Sequence, residues 1–294
     1  MPFELNPKHP IGEDVQDLMD GQIARIEAHL RSSAAIEDRV HDVRKRTKET
    51  RALLRLVRSA LGSQFRIENL WYRDAARELA PARNAAALVE SVKKLRKHAT
   101  DRAALRALRH VERVLKHIRV DGAQLESRIA SLLEHLADAR ARLKKWPQLA
   151  DRFSTIGEGL QRTFGDGRRA LREVTNDPTA ETFHELRKRV KDHWYHGQLL
   201  RRVWPEFMTR YAEVVEEVSD ALGDHHDLIV LRETLREDPT AYGDQNALET
   251  TFAVIQKRRT QLEKKSMRLS SEIYAEGPPQ FRDRLRAYWQ VARG

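Results

Sequence analysis

The chain has 294 residues, and its 54 lysines and arginines outnumber its 44 aspartates and glutamates, which gives a formal net charge of +10. This excess favours a polyanionic partner such as polyphosphate, nucleic acid or an acidic membrane surface. The absence of cysteine excludes disulfides, thiol catalysis, cysteine-ligated zinc and iron–sulfur clusters.

Helical periodicity with proline punctuation predicts an all-α protein, since alternating β-branched runs with Asn-Gly turns are missing from the sequence. The predicted helices, in chain order, are 11–33, 38–60, 65–79, 81–98, 101–119, 121–146, 151–174, 178–203, 205–222, 224–237, 241–273 and 278–291. A break near 147–150 divides a single domain, 1–294, into repeat halves of about 11–146 and 151–294.

The helix predicted at 38–60 carries a row of basic residues that we call the N-terminal ladder. Steps of three and four residues return to one helix face. The ladder consists of His41, Arg44, Lys48, Arg51, Arg55 and Arg58. Val43, Leu54 and Leu61 gather on a different face, which suits a core. Because like charges at this spacing repel, the ladder favours a polyanion lying along the helix; the alternative is a solvated basic face.

The helix predicted at 101–119 is also basic on one side. Its positive residues recur at steps of four, three, four and three, and they are Arg102, Arg106, Arg109, Arg113 and Lys116. Two interpretations fit this pattern: a further basic wall of a ligand groove, or an exposed face. The glycines of the helix predicted at 151–174 lack the Gly-Lys-Ser/Thr ending of a P-loop, and we expect them to loosen or kink that helix.

The segment 183–204 repeats the ladder pattern, since His184 follows His41 by 143 residues. Both copies read His-x-x-Arg-Lys-Arg-x-Lys. The C-terminal ladder consists of His184, Arg187, Lys191, Trp194, Gln198 and Arg201. The same offset places 79–88 over 222–231. Two matched segments at one separation predict an internal duplication.

These features resemble the CHAD domain, the conserved histidine α-helical domain. The resemblance covers the chain from about residue 11 to its end and rests on the two His-x-x-Arg helices, on Tyr195 and on the segment Leu-Gly-x-x-x-Asp. That segment has Leu222, Gly223 and Asp227 at its defined positions. The resemblance implies two helical bundles related by a pseudo-twofold axis, with a basic groove or pore between them that binds inorganic polyphosphate.

The ladders and the resemblance together predict the polyphosphate-binding residues. They are His41, Arg44, Lys45, Lys48, Arg51, Arg55, His184, Arg187, Lys188, Lys191 and Tyr195. This interpretation includes no catalytic residue, no metal and no cofactor. Trp194 and Gln198 stand where the first copy has arginines, and Asn84 replaces the usual aspartate at the position that matches Asp227. We therefore expect the N-terminal ladder to hold the ligand more strongly.

A metal-dependent phosphohydrolase of the HD type is the enzymatic alternative. Such proteins are all-helical and hold metal with imidazole and carboxylate ligands from separate helices. Here the His-His-Asp run occurs once, at 225–227, and Asp42 becomes Glu185 in the second copy. Adjacent helix residues diverge by roughly 100°, so His225 and His226 are not expected to face one site.

A single-stranded nucleic-acid binder is the second alternative, because Trp194 and Tyr195 could stack on bases. Both residues also suit a core or a groove wall. The N-terminal sequence does not resemble a signal peptide, and no apolar run approaches the roughly 20 residues of a membrane span. The sequence therefore predicts a cytoplasmic protein. Binding to polyphosphate would also place it on polyphosphate granules.

Overall fold

A computed structural model describes residues 2–79, 81–117 and 122–294, with the side chains of 81–85 left outside the description. The described chain is all-α, as predicted. Its helices are α1 Ile11–Arg31, α2 Ile36–Leu56, α3 Arg58–Leu61, α4 Ser63–Glu78, α5 Pro81–Arg96, α6 Arg102–Leu115, α7 Gly122–Leu143, α8 Ser154–Asn176, α9 Ala180–Leu199, α10 Pro205–Glu237, α11 Gln245–Ile273 and α12 Pro278–Arg293. None of these helices combines the length and the apolar composition that crossing a bilayer requires.

Several predicted helix boundaries were wrong, among them the following two. The helix predicted at 38–60 breaks at Val57, whose φ of −99° and ψ of 16° separate α2 from the short α3. The break predicted between 222 and 224 does not occur, because α10 continues through Gly223 as one helix of 33 residues. Leu222, His225 and Leu228 are buried on both sides of that glycine, so packing on both sides holds the helix together.

The apolar side chains form two clusters. The main core draws on α1, α2, α4 and α7 and also on α8, α9, α12 and the first part of α10. The second cluster lies among α5, α6, α11 and the last part of α10. The main core thus combines residues from both predicted halves. α9 begins one residue after the position that the 143-residue offset assigns to the start of α2, and the duplication itself remains a prediction from the sequence.

The glycines of α8 serve close packing. A Cβ at Gly159 would lie 2.0 Å from the carbonyl oxygen of Leu56 at the end of α2, and one at Gly167 would lie 2.4 Å from the ring of Tyr274. Glycine at 159 therefore lets the backbones of α8 and α2 touch, which positions the C-terminal end of α2.

The inner face of α9 carries two buried histidines. The Nε2 of His193 lies 2.9 Å from the hydroxyl oxygen of Tyr211, and the Nε2–H of His196 donates to the carbonyl oxygen of Ala52 over 2.9 Å. Burial lowers the pKa of His193 to about 3 and that of His196 to about 4. The neutral imidazole of His196 thus ties α9 to α2, and that of His193 ties α9 to α10.

These buried imidazoles predict a loss of stability in mild acid. In the unfolded chain each histidine takes up a proton near pH 6.5, whereas the folded chain resists protonation until the pH is much lower. The free energy of unfolding should therefore fall between pH 7 and pH 5, by as much as about 2 kcal/mol per histidine. Urea unfolding at both pH values measures the loss. His196→Gln keeps an N–H donor for Ala52 but does not titrate, so it should reduce this pH dependence; an unchanged dependence would contradict the assignment.

Candidate polyanion-binding cleft

A cavity of about 650 Å³, which we call the main cleft, lies between α2 and α9, with α5 and α10 completing its walls. A second cavity of about 230 Å³, the side pocket, shares Lys48, Arg187 and Asp227 with it. Because these residues line both cavities, the two are adjacent, and we refer to them together as the path. The helices that carry the two predicted ladders therefore face the same space.

All eleven predicted binding residues line this path. Nine of them line the main cleft, and these are His41, Lys45, Lys48, Arg51, Arg55, Arg187, Lys188, Lys191 and Tyr195. Arg44 and His184 line the side pocket. Arg58 and Arg201, the last members of the two ladders, lie elsewhere: the guanidinium of Arg58 covers the ring of Phe65, and Arg201 bonds to Thr209.

α4 holds two of the cleft arginines in place. The Nη1 of Arg44 donates to the carbonyl oxygen of Ala76 over 2.5 Å, and the Nε–H of Arg51 donates to Oδ1 of Asn69 over 3.1 Å. Burial lowers the pKa of Arg51 to about 10, and the positive charge of the nearby Arg55 contributes to the shift. Arg51 therefore stays charged at neutral pH, and a ligand would find these side chains already ordered.

An ion pair joins the two ladder helices across the cleft. The Nη1 of Arg55 lies 3.0 Å from Oδ1 of Asp192. Burial raises the pKa of Asp192, and the charge of Arg55 opposes that rise. Because removing one partner of a buried pair leaves an uncompensated charge, Arg55 has a structural role beside its place in the cleft.

The aromatic residues of α9 form part of the cleft wall. The Nζ of Lys191 lies 3.8 Å from the centroid of the Trp194 ring and 5.6 Å from that of Tyr195. Trp194 is half-buried and also packs against the main core. Burial lowers the pKa of Lys191, whereas Asp220 and Glu216 raise it. One face of Trp194 is thus already occupied by an ammonium group.

Two histidines lie together at the side pocket. The rings of His184 and His226 are 4.6 Å apart. Burial lowers the pKa of His184. Burial also lowers the pKa of His226 to about 4, and the positive charge of Arg187 contributes to that shift. In the free protein, burial therefore favours the neutral form of the His184 ring. His225 points elsewhere, to Oε1 of Glu263 at 2.8 Å, as the angular spacing predicted.

Sequence reasoning missed several charged residues of the cleft. Lys94 reaches from α5 and pairs with Asp224 of α10 over 2.7 Å, and Asp220 and Arg189 also line the main cleft. The duplication offered no signal for Lys94, since the offset places Glu237 opposite it. In total the main cleft presents nine lysines and arginines and four aspartates, so its charge is positive but mixed.

The metal-site alternative has no geometric support in the part of the chain that the structure describes. There, no three histidine, aspartate or glutamate side chains are grouped so that they could hold an ion. The side chain of Asn84, which matches Asp227 at the repeat offset, lies outside the described residues.

Comparison with known proteins identifies the family of the chain. The family model described as "CHAD domain" matches residues 17–236, about three quarters of the chain. The chain belongs to the CHAD domain family. This confirms the resemblance stated from the sequence. The matched range contains α2, α9 and every predicted binding residue.

A solved structure shares the CHAD fold. The crystal structure of the CHAD domain from the plant Ricinus communis is 17% identical and superposes with a TM-score of 0.56, covering 99% of this chain and 95% of that one. At this identity the similarity establishes the fold alone. The search of curated proteins returned no match.

Proposed function

We propose that this CHAD domain binds inorganic polyphosphate in the main cleft and does no chemistry on it. The observation that carries the proposal is that α2 and α9 place their lysines and arginines around two adjacent cavities. Guanidinium groups are permanently charged and donate to phosphate oxygens in bidentate fashion. A linear phosphate polymer suits such a path because it offers equivalent oxygens along its whole length.

The cleft favours phosphate over nucleobases. Binding of single-stranded nucleic acid depends on open aromatic faces on which bases stack. Trp194 is covered by Lys191, and Tyr195 is buried. Polyphosphate should therefore displace RNA of equal charge from the protein. In the cell, the same affinity would place the protein on polyphosphate granules.

The first test is the salt dependence of binding. A single-stranded polyanion loses affinity with a log–log slope of roughly −0.7 for each phosphate neutralised. With several cleft cations engaged, we expect a slope steeper than about −3. Fluorescence anisotropy of end-labelled polyphosphate over a salt series measures it, and gel analysis of the same samples should show an unchanged chain length. A flat salt response would refute the proposal, and shortened chains would favour the phosphohydrolase alternative.

A further inference from the structure

α6 displays a second row of cations, away from the cleft. We call Arg102, Arg106, Arg109 and Arg113 the α6 stripe. At 100° per residue they fall within an arc of roughly 60° and extend over roughly 16 Å of helix. All four side chains are exposed, and none of them lines the main cleft or the side pocket. The interpretation of this helix as a wall of the ligand groove was therefore wrong.

The carboxylates near the stripe are engaged elsewhere. Glu112, the acidic residue of α6, bonds to Arg96 and to Lys116. On α11, which packs against α6, Glu249 accepts a bond from Gln245. Asp244, the residue before α11, accepts the backbone N–H of Ala247. Across the described residues, none of the four stripe arginines has an ion pair, unlike arginines such as those at 140 and 293. Within the described residues, the positive charges of the stripe are therefore not paired with carboxylates.

The opposite face of α6 explains why the stripe is displayed rigidly. Leu108, Val111 and Leu115 are buried in the second apolar cluster, and Asp101 caps the helix by accepting the backbone N–H of Ala104 over 2.8 Å. Like charges at helical spacing repel one another, so the stripe does not help the helix to form. A bound polyanion would remove that repulsion.

We propose that the α6 stripe is a second binding surface for inorganic polyphosphate, separate from the cleft. The partner must be a polyanion that is recognised by its phosphates, because the neighbouring aromatic rings are not free to stack on bases. Tyr242 is buried, and the guanidinium of Arg236 covers the ring of Phe252. Protein interfaces have an apolar centre, whereas the exposed residues around the stripe are Ala103, Lys116 and His117. The choice of polyphosphate rests on the function proposed for the cleft.

Two separate surfaces would allow multivalent binding of polyphosphate, which a single cleft does not. One molecule can hold two polyphosphate chains, or two stretches of one long chain, and linked binding events strengthen each other without new contacts. Long chains should therefore bind more tightly than chains that fill only the cleft. Long chains should also be cross-linked by the protein into particles that scatter light.

The test separates the two surfaces by substitution. Lys48→Gln with Arg187→Gln weakens the cleft, and we expect residual binding of long polyphosphate at low salt. Adding Arg106→Gln with Arg109→Gln should reduce this residual affinity by at least about tenfold. The matched control adds Arg162→Gln with Arg172→Gln on α8, where both arginines are exposed and form no ion pair with another described residue; it should change the affinity by less than about twofold.

The outcomes distinguish this inference from the function on which it rests. If the unaltered protein binds no polyphosphate, the proposed function fails. If it binds, but the cleft variant shows no residual affinity, or the α6 and α8 pairs have equal effects, only the second surface is refuted. Loss of RNA binding with unchanged polyphosphate binding in the α6 variant would also refute it. Circular dichroism on every variant checks that the helices remain.

Discussion

Replacing Lys48 and Arg187 by glutamine is expected to weaken polyphosphate binding by at least about 100-fold at low salt. The two residues come from α2 and α9 and both line the junction of the main cleft and the side pocket. A hydrogen bond to a charged group contributes about 1.5–3 kcal/mol, and each 1.4 kcal/mol changes affinity about tenfold. Losing two such contacts gives the expected effect, which anisotropy titration measures.

The control for this variant is Arg162→Gln with Arg172→Gln, which removes the same charge from α8. A chain that binds in the cleft should be almost insensitive to it. If both pairs weaken binding equally, polyphosphate responds only to net charge, and the cleft is not its site. Arg55 is unsuited to this experiment, because its substitution leaves Asp192 buried without its partner.

Gly159→Ala is expected to destabilise the fold by about 3 kcal/mol or more, or to prevent folding. Its Cβ would lie 2.0 Å from the carbonyl oxygen of Leu56 and 2.7 Å from that of Arg55. Overpacking in a core costs about 1–3 kcal/mol, and sometimes more. Here the clash is with backbone, so no side-chain rotation relieves it, and α8 must move away from α2.

Gly165→Ala, on the same helix, is the matched control. Its Cβ would meet Pro278 at an ordinary 3.5 Å, and alanine is favoured over glycine inside a helix by about 0.8–1 kcal/mol. We expect this variant to be as stable as the parent or slightly more stable in urea unfolding. If Gly159→Ala is equally well tolerated, α8 does not pack against the backbone of α2 as closely as described, and this contact does not position Arg55.

Local pattern was sufficient for the helices and for the faces of the two ladders. Hydrophobic periodicity is a property of consecutive residues, so Val43 and Leu54 could be assigned to the buried face of α2 without knowledge of its neighbours, and both are buried. The duplicated His-x-x-Arg pattern led to the CHAD family, which the family model confirms. The prediction that α2 and α9 carry the cations of one site came from the resemblance to this family.

The glycines show where local reasoning stopped. We expected those of α8 to loosen the helix, yet Gly159 lies where two backbones meet. We expected Gly223 to end a helix, yet α10 passes through it. A glycine has the same local signature whether it ends a helix, bends it or admits a neighbour. The packing partner decides among these outcomes, and it lies far away in the sequence.

The sequence by itself determined that this protein is helical, basic and marked by two ladders, because those properties depend on composition and on spacing along one helix. Only the tertiary structure decided which cations share a cavity. It brought Lys94 to the cleft, turned Arg58 away at the break after α2, and left the α6 stripe on a separate surface. The physical reason is that periodicity specifies the direction in which a side chain leaves its helix, whereas long-range packing specifies what lies in that direction.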